Sequence, residues 1–278
     1  MKPKKIIVGT RGSKLALWQA NFVRDQLESL GVEVEIKIVQ TKGDAVTDLS
    51  FDKIEGKGFF TKEIEEELLA GKIDMAVHSM KDLPTESPEG LVIAGVSYRA
   101  DPADWLIIRE SAVVENQSLN LKSGAIVGTS SNRRKSWIKD FRLDVVLKNL
   151  RGNVPTRLNK LRSGDYDAII LAAAGITRLE LSMDGFFVQP LNVKEFVPAP
   201  AQGVLAFQVR NNDLSLRRFI QENIHHSEVS SATNVERTLL KLFNGGCQLA
   251  LGAYCELDSM GNYHLWASYS ENPGDSVR

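Results

Sequence analysis

The residues of this sequence that could do chemistry are mostly arginines that follow predicted strands. The 278 residues include 34 Lys and Arg against 35 Asp and Glu, so the formal net charge is only −1. Open α/β sheets bind ligands where strands end, often against helix N-termini. The cations found there are Arg11, Lys81, Arg133, Arg134, Arg151, Arg157 and Arg178. Because a guanidinium binds carboxylates and phosphates through two hydrogen bonds, the pattern predicts a cleft for a polyanion or for several carboxylates.

One carboxylate accompanies these cations. Asp82 comes directly after Lys81, behind the apolar run "IDMAVHSM". Nearby cations favour the ionised form of a carboxylate, and a lone carboxylate in such a cleft can stabilise positive charge that develops on a substrate. Asp82 is therefore a candidate catalytic residue. A helix N-cap or an ion pair with Lys81 is the structural alternative.

The two cysteines raise a separate question. Cys247 and Cys255 are too few for a disulfide framework, which favours a reducing cytoplasm. Cys247 follows Gly245 and Gly246, which allow a tight exposed turn after a predicted helix. No His or Cys at zinc spacing lies nearby, so no metal site is expected. The residues alone leave the Cys247 thiol open as a buried spectator, a nucleophile or an attachment point.

The elements that position these residues recur twice along the chain. "KKIIVGT" predicts a buried strand before the amphipathic helix "SKLALWQANFVRDQLESLG", and "GAIVGTSSNRRKSWIKDF" repeats this order. In the repeat, 8–10 corresponds to 127–129, and Asp74 corresponds to Asp167. The sequence therefore predicts an α/β fold with two similar periplasmic-binding-protein-like lobes around a cleft.

Prolines mark the expected junctions between these lobes. Residues 1–101 and 202–222 form the predicted first lobe, and residues 102–201 form the second. A small α+β C-terminal domain at 227–278 carries Cys247. Within it, Thr233 and Glu236 fit a capping box that opens the helix "TNVERTLLKLFN". The loop around Lys57, "KIEGKG", is interpreted as a glycine-hinged lid or a plain surface loop.

Several classes of partner are not expected. The charge balance, with no aromatic stacking pattern and no long basic stripe, argues against nucleic acid. No apolar run is long enough for a signal peptide or for crossing a bilayer. We expect a cytoplasmic monomer that acts on a small molecule.

Several long motifs, in one order along nearly the whole chain, resemble the porphobilinogen deaminase (hydroxymethylbilane synthase) family. The motifs are "GTRGSKLALWQ", "EGKGFFTKE", "AVHSMKDLP", "VGTSSNRRKSW", "LRGNVPTRLNKL", "YDAIILAAAG", "PAPAQG" and "NGGCQLALG". The resemblance implies a transferase of tetrapyrrole and haem biosynthesis. It would polymerise porphobilinogen, with release of ammonia, into hydroxymethylbilane on a dipyrromethane cofactor that Cys247 holds by a thioether.

The resemblance also implies roles for individual residues. Asp82 corresponds to the essential carboxylate, which contacts pyrrole N–H groups and stabilises the azafulvene cation formed when ammonia leaves. The implied cofactor-binding residues are Cys247, Lys81, Asp82, Ser13, Ser131, Arg133 and Arg134. The implied substrate-binding residues are Arg11, Arg151, Arg157, Arg178, Lys57 and Gln202.

The sequence departs from the family pattern in two places. The cysteine domain is shorter than is usual for the family, and 249–251 reads Leu-Ala-Leu where a proline-containing turn is usual. A non-catalytic two-lobed binding protein for a small anionic ligand is the alternative from another class. A cysteine hydrolase is a third option, although no His is predictably placed as a base for Cys247.

Overall fold

The protein is described from a computed structural model, which covers residues 2–41, 61–243, 249–272, 275 and 277. The chain divides into two compact units. The first comprises Met1–Ala100 and Gly203–Asn234, and the second comprises Asp101–Gln202 and Val235–Arg278. The separate C-terminal domain expected at 227–278 stays a prediction.

Strands and helices alternate through most of the described chain. In chain order the strands are β1 (Lys5–Thr10), β2 (Glu33–Ile38), β3 (Met75–Ser79), β4 (Leu91–Val96), β5 (Asp104–Arg109), β6 (Ile126–Gly128), β7 (Val146–Lys148), β8 (Ala168–Ala172), β9 (Phe186–Pro190), β10 (Leu205–Arg210), β11 (Ala250–Leu257) and β12 (Tyr263–Ser270). The α-helices are α1 (Lys14–Ser29), α2 (Lys62–Leu69), α3 (Asn132–Phe141), α4 (Val154–Arg162), α5 (Ala173–Arg178), α6 (Leu214–Asn223) and α7 (Ser227–Leu242).

Each unit is built on a five-stranded mixed sheet. The sheet of the first unit has the order β2-β1-β3-β10-β4, and that of the second has the order β7-β6-β8-β5-β9. In both sheets the first three strands are parallel, and the fourth runs antiparallel to its two neighbours. The α/β class with two similar lobes, predicted from the sequence, is confirmed.

The two sheets also share their register and one hydrogen-bonding device. Val8 pairs with Met75 in the first sheet, and Val127 pairs with Ala168 in the second. The Asp74 carboxylate accepts a hydrogen bond from the Ile7 N–H at 2.9 Å. The Asp167 carboxylate accepts one from the Ile126 N–H, also at 2.9 Å. The predicted correspondence of Asp74 with Asp167 is therefore confirmed.

The central strands are buried because helices cover them. In the first unit the apolar side chains of β1, β3 and β10 pack against α1 and α6 in one core. Its fully buried members include Val8, Ala20, Val23, Leu27, Met75, Leu205, Phe207, Val209 and Ile220. The apolar runs that predicted buried strands are thus the strands that form the core.

The expected capping box at Thr233 is wrong. Helix α7 begins at Ser227, so Thr233 lies inside it, and its Oγ1 donates to the Val229 carbonyl at 2.7 Å. A capping box needs unsatisfied N–H groups of a first turn, whereas a mid-helix threonine bonds back to the preceding turn. Glu236 is instead fully buried and accepts hydrogen bonds from the backbone N–H groups of Ala201 and Cys255.

Strands β11 and β12 form a two-stranded antiparallel ribbon that packs against the segment before Ala201. The Ala253 N–H donates to the Pro198 carbonyl at 2.9 Å. A methyl group at Gly252 would lie 2.6 Å from the Val197 carbonyl oxygen and 2.5 Å from Ser268 Oγ. The ribbon can therefore approach this segment only with glycine at position 252.

Gly252→Ala should lower the free energy of unfolding by about 1–3 kcal/mol, because the ribbon must move away from Val197. Gly261→Ala, at a position in the ribbon turn where a methyl group meets no neighbour but φ is +87°, measures backbone strain without this clash. Urea titrations of the two variants would test the close approach. A Gly252→Ala variant as stable as wild type would contradict it.

No helix in the described part of the chain has the length and apolar character needed to span a membrane.

Candidate functional site

In the first unit, Arg11 and Ser13 lie where parallel strands end. Strands β1 and β3 are adjacent and parallel, and they end at Thr10 and Ser79. Arg11 directly follows β1 and is half-buried. Ser13 is the N-cap of α1, and its hydroxyl accepts a hydrogen bond from the Ala16 N–H at 3.3 Å. This edge thus combines a cation with a helix N-terminus, which suits an anion.

Lys81 and Asp82 lie on a single 3-10 turn, Met80–Asp82, that follows β3. Met80 holds the turn in place, because its side chain is buried and its N–H donates to the Val204 carbonyl at 2.9 Å. Asp82 is exposed at the end of this turn, and Lys81 is half-buried. The fold therefore presents the Asp82 carboxylate to solvent on a backbone fixed by the core.

His78 lies inside β3 and is buried. Its Nε2 is 3.0 Å from Gln208 Oε1, and Gln208 Nε2 donates to Glu65 Oε1 at 3.1 Å. Because the amide group of Gln208 donates to a carboxylate, its oxygen accepts from His78, which places a proton on Nε2. The sequence signal for this chain of contacts is a lone glutamine inside the apolar strand "LAFQVR".

Burial lowers the pKa of His78 to about 4, although the hydrogen bond to Gln208 raises it and the positive charge of Arg11 lowers it further. Between pH 6.5 and 4 the unfolded chain therefore binds a proton that the folded chain does not. As the pH is lowered from 6.5 to 4, the free energy of unfolding should fall by about 3 kcal/mol from this group alone.

His78→Gln should flatten that part of the stability–pH curve, whereas His226→Gln, at an exposed position, should not. Identical curves for wild type and His78→Gln would contradict this.

In the second unit, Arg133 and Arg134 lie in the first turn of α3, behind its N-cap Ser131. Both arginines are buried, and both contact the fully buried carboxylate of Asp104, the first residue of β5. Arg133 Nη2 donates to Asp104 Oδ2 at 2.6 Å, and Arg134 Nη2 donates to Asp104 Oδ1 at 2.7 Å. Burial opposes ionisation of Asp104, but the two guanidinium groups outweigh it and hold its pKa well below its usual range.

Gln202 joins the same group. It is buried, and its Nε2 donates to Asp104 Oδ1 at 2.9 Å and to the Pro102 carbonyl at 2.8 Å. The sequence analysis predicted Arg133, Arg134 and Gln202 as site residues but not Asp104, whose carboxylate accepts hydrogen bonds from all three. The signal for Asp104 is weak, being one acidic residue at the start of the apolar strand "DWLIIR".

The remaining predicted arginines lie around α4 and α5. Arg151 is half-buried and precedes α4, whose N-cap Asn153 accepts from the Thr156 N–H at 2.9 Å. Arg157, in α4, donates through Nε to the Gly152 carbonyl at 2.7 Å. Arg178 is the last residue of α5 and is buried. Lys57 and Cys247 lie outside the described residues.

Among the described residues, no group of three or more His, Cys, Asp and Glu side chains is arranged to hold a metal ion.

Comparison with known proteins identifies the family. A family model described as "Porphobilinogen deaminase, dipyromethane cofactor binding domain" matches residues 6–218. The chain belongs to the porphobilinogen deaminase family. Every predicted site residue except Cys247 lies within the matched span.

Relatives in the porphobilinogen deaminase family match almost the whole chain. A protein of Geobacillus sp. (strain WCH70) with that name is 45% identical over 277 residues, 99% of this chain and 87% of the relative. One of Shouchella clausii (strain KSM-K16) is 46% identical over 276 residues, with the same coverage. A third, of Sulfurimonas denitrificans, is 42% identical over 251 residues, 90% of this chain and 78% of the relative. These relatives favour an enzyme over the binding-protein alternative.

The solved structures with some similarity are more distant from this chain. The periplasmic VFT2 domain of Bordetella pertussis BvgS has a TM-score of 0.46 at 12% identity, over 84% of this chain and 93% of that one. A putative methionine-binding lipoprotein of Bacillus subtilis has a TM-score of 0.45 at 12% identity, over 82% and 93%. At this level of similarity they bear on neither the fold nor the function.

Proposed function

We propose that this enzyme condenses porphobilinogen head to tail, with loss of ammonia, into the linear tetrapyrrole hydroxymethylbilane. The observation that carries the proposal is the family match over 6–218, with relatives of that name 45% and 46% identical over 99% of the chain. The cationic residues of both units support it, because every pyrrole of such a chain carries an acetate and a propionate.

The cofactor in this proposal is a dipyrromethane joined by a thioether to Cys247. When bound, it supplies the electron-rich pyrrole end at which new C–C bonds form. Cys247 is then an anchor and not a nucleophile in turnover. Its proposed role rests on the family, since the residue lies outside the described part of the chain.

The residues that would hold the cofactor fit an anionic group. Among the described residues, Arg133 and Arg134 form ion pairs with one shared carboxylate, so this buried group keeps a net positive charge. Arg134 Nε is buried and has no hydrogen-bond partner among the described residues, and a buried donor is costly to leave unpaired. Ser13, Ser131, Lys81 and Asp82 are the other proposed cofactor contacts.

The substrate carboxylates are assigned to a second group of residues. Arg11 of the first unit, and Arg151 and Arg157 at the N-terminus of α4, offer the cations that carboxylates require. The proposed substrate-binding residues are Arg11, Arg151, Arg157, Arg178, Lys57 and Gln202. Their proposed role is to bind and orient the substrate.

Asp82 is the proposed catalytic residue. The protonated aminomethyl group of porphobilinogen leaves as ammonia and takes the electrons of the C–N bond, so the substrate becomes a cation. The exposed Asp82 carboxylate accepts a hydrogen bond from the pyrrole N–H and stabilises the charge that develops there. The same carboxylate can hold a proton that is lost when the C–C bond has formed.

We also propose that the enzyme acts as a cytoplasmic monomer without a nucleic-acid partner. The formal net charge of −1 argues against a nucleic-acid partner, and the presence of only two cysteines favours a reducing compartment. Light scattering at micromolar concentration would test the monomeric state, and a concentration-independent dimer would contradict it.

The experiment for the activity is a coupled measurement on wild type. Purified enzyme is incubated with porphobilinogen, and ammonia release is followed beside mass spectrometry of the product. We expect one ammonia for each porphobilinogen consumed and a linear tetrapyrrole product. Binding of porphobilinogen without ammonia release would contradict the proposal.

A further inference from the structure

The buried group around Asp104 has more positive than negative charge. Among the described residues, the guanidinium groups of Arg133 and Arg134 both form ion pairs with one carboxylate, that of Asp104. A buried ion pair that served only the core would need one cation for one anion, because uncompensated buried charge is costly. The excess positive charge therefore indicates a site that binds an anion from outside the protein.

The contacts around Asp104 also fix the direction of both guanidinium groups. While Nη2 of each binds Asp104, Arg133 Nη1 donates to the Val197 carbonyl at 2.8 Å and Arg134 Nη1 donates to the Ile170 carbonyl at 3.1 Å. Each fork is thus held through two of its nitrogen atoms. In Arg134 the third, Nε, is the buried donor that has no partner in the described part of the chain.

Backbone contacts extend this arrangement from Gln202 toward the ribbon. Gln202 binds Asp104, and its neighbour Ala201 has a positive φ of 61°, which is unfavourable for a residue other than glycine. The Ala201 N–H donates to Glu236 Oε2 at 2.6 Å, and Glu236 Oε1 accepts from the Cys255 N–H at 2.7 Å. The contacts therefore run from Arg133 and Arg134 to β11, the strand that follows Cys247.

We propose that Asp104 is a positioning residue that fixes Arg133 and Arg134 and leaves one positive charge for a carboxylate of the bound pyrrole chain. This inference rests on the proposed function. Asp104 contacts two arginines assigned to the cofactor but does not itself meet the reacting atoms. It sets where their guanidinium groups lie relative to the strand that follows the anchoring cysteine.

The test measures how fast the apo-enzyme gains its covalent cofactor from porphobilinogen, by intact mass of the denatured protein at timed intervals. Asp104→Asn removes the charge, and Asp104→Glu keeps the charge but displaces it by one methylene. Asp167→Asn is the matched control, because Asp167 is a carboxylate of the same unit that binds the Ile126 N–H and Lys122, away from the arginines. Thermal unfolding of each variant is measured in parallel.

Both Asp104 variants should gain the cofactor roughly 100-fold more slowly than wild type, because misplaced binding groups lose about that factor. Asp167→Asn should gain it at the wild-type rate, even if its unfolding temperature falls as much as those of the Asp104 variants. If Asp104 had a purely structural role, variants with equal losses of stability would gain the cofactor equally slowly. If Asp104→Asn does not fold, Asp104→Glu decides. A wild-type rate in a folded Asp104 variant overturns the inference, whereas failure of wild type itself to gain the cofactor overturns the proposed function.

Discussion

Asp82→Asn should fold like wild type and lose porphobilinogen turnover by roughly a thousand-fold. The side chain is exposed, and the turn that carries it is held by Met80, so the substitution leaves the core intact. Asparagine keeps the shape of the side chain but removes the negative charge that stabilises the substrate cation. Steady-state kinetics and thermal unfolding of the same preparation would show the two effects separately.

Asp25→Asn is the control for this prediction. Asp25 is an exposed carboxylate on α1 that pairs with the neighbouring Arg24, so its loss should change neither turnover nor stability by a measurable amount. Turnover of Asp82→Asn within a few-fold of wild type would contradict the cation-stabilising role of Asp82.

Cys247→Ser should abolish turnover, because a serine hydroxyl cannot form the proposed thioether and the enzyme then has no primer. Cys255→Ser is the matched control. Cys255 is buried in β11, and its replacement should lower the free energy of unfolding by about 1 kcal/mol without removing activity. Initial rates of porphobilinogen consumption for both variants would check this.

The opposite pattern would contradict the assignment of the anchor. If Cys255→Ser were inactive while folded and Cys247→Ser were active, the covalent link would belong to Cys255. Activity in both variants would mean that no thioether is needed.

The sheets could be predicted because their signals are local. Runs such as "IIVG" and "AIILA" are apolar throughout, as is typical of strands buried on both faces. The repeat of Val-Gly-Thr and of the aspartates Asp74 and Asp167 then predicted two similar sheets. Both aspartates bind the neighbouring strand in the same register, so the sequence similarity has a structural cause.

The limits of a helix were harder to predict, because tertiary contacts outweighed a local signal. Thr233 and Glu236 have the spacing of a capping box, yet the helix begins at Ser227. Glu236 accepts hydrogen bonds from the backbone N–H groups of Ala201 and Cys255. These two partners lie 35 and 19 positions away along the chain. No local pattern reveals such a contact.

In the candidate site, too, some residues could be predicted from local signals and others could not. Its cations could be named from their position after strands, and the family resemblance assigned their roles. The partners of those cations could not be named, because Asp104 meets Arg133, Arg134 and Gln202 only once β5 lies beside β8 in the folded sheet. Those roles stay predictions, and Asp104 is the residue that the structure adds to them.

The most direct test of the central claim is the intact mass of the denatured protein after incubation with porphobilinogen, for wild type and Cys247→Ser side by side. We expect wild type to carry a covalent excess equal to one dipyrromethane and the variant to have the bare mass of its sequence. A bare mass for wild type after exposure to porphobilinogen, or the same excess in both proteins, would contradict a dipyrromethane anchored at Cys247.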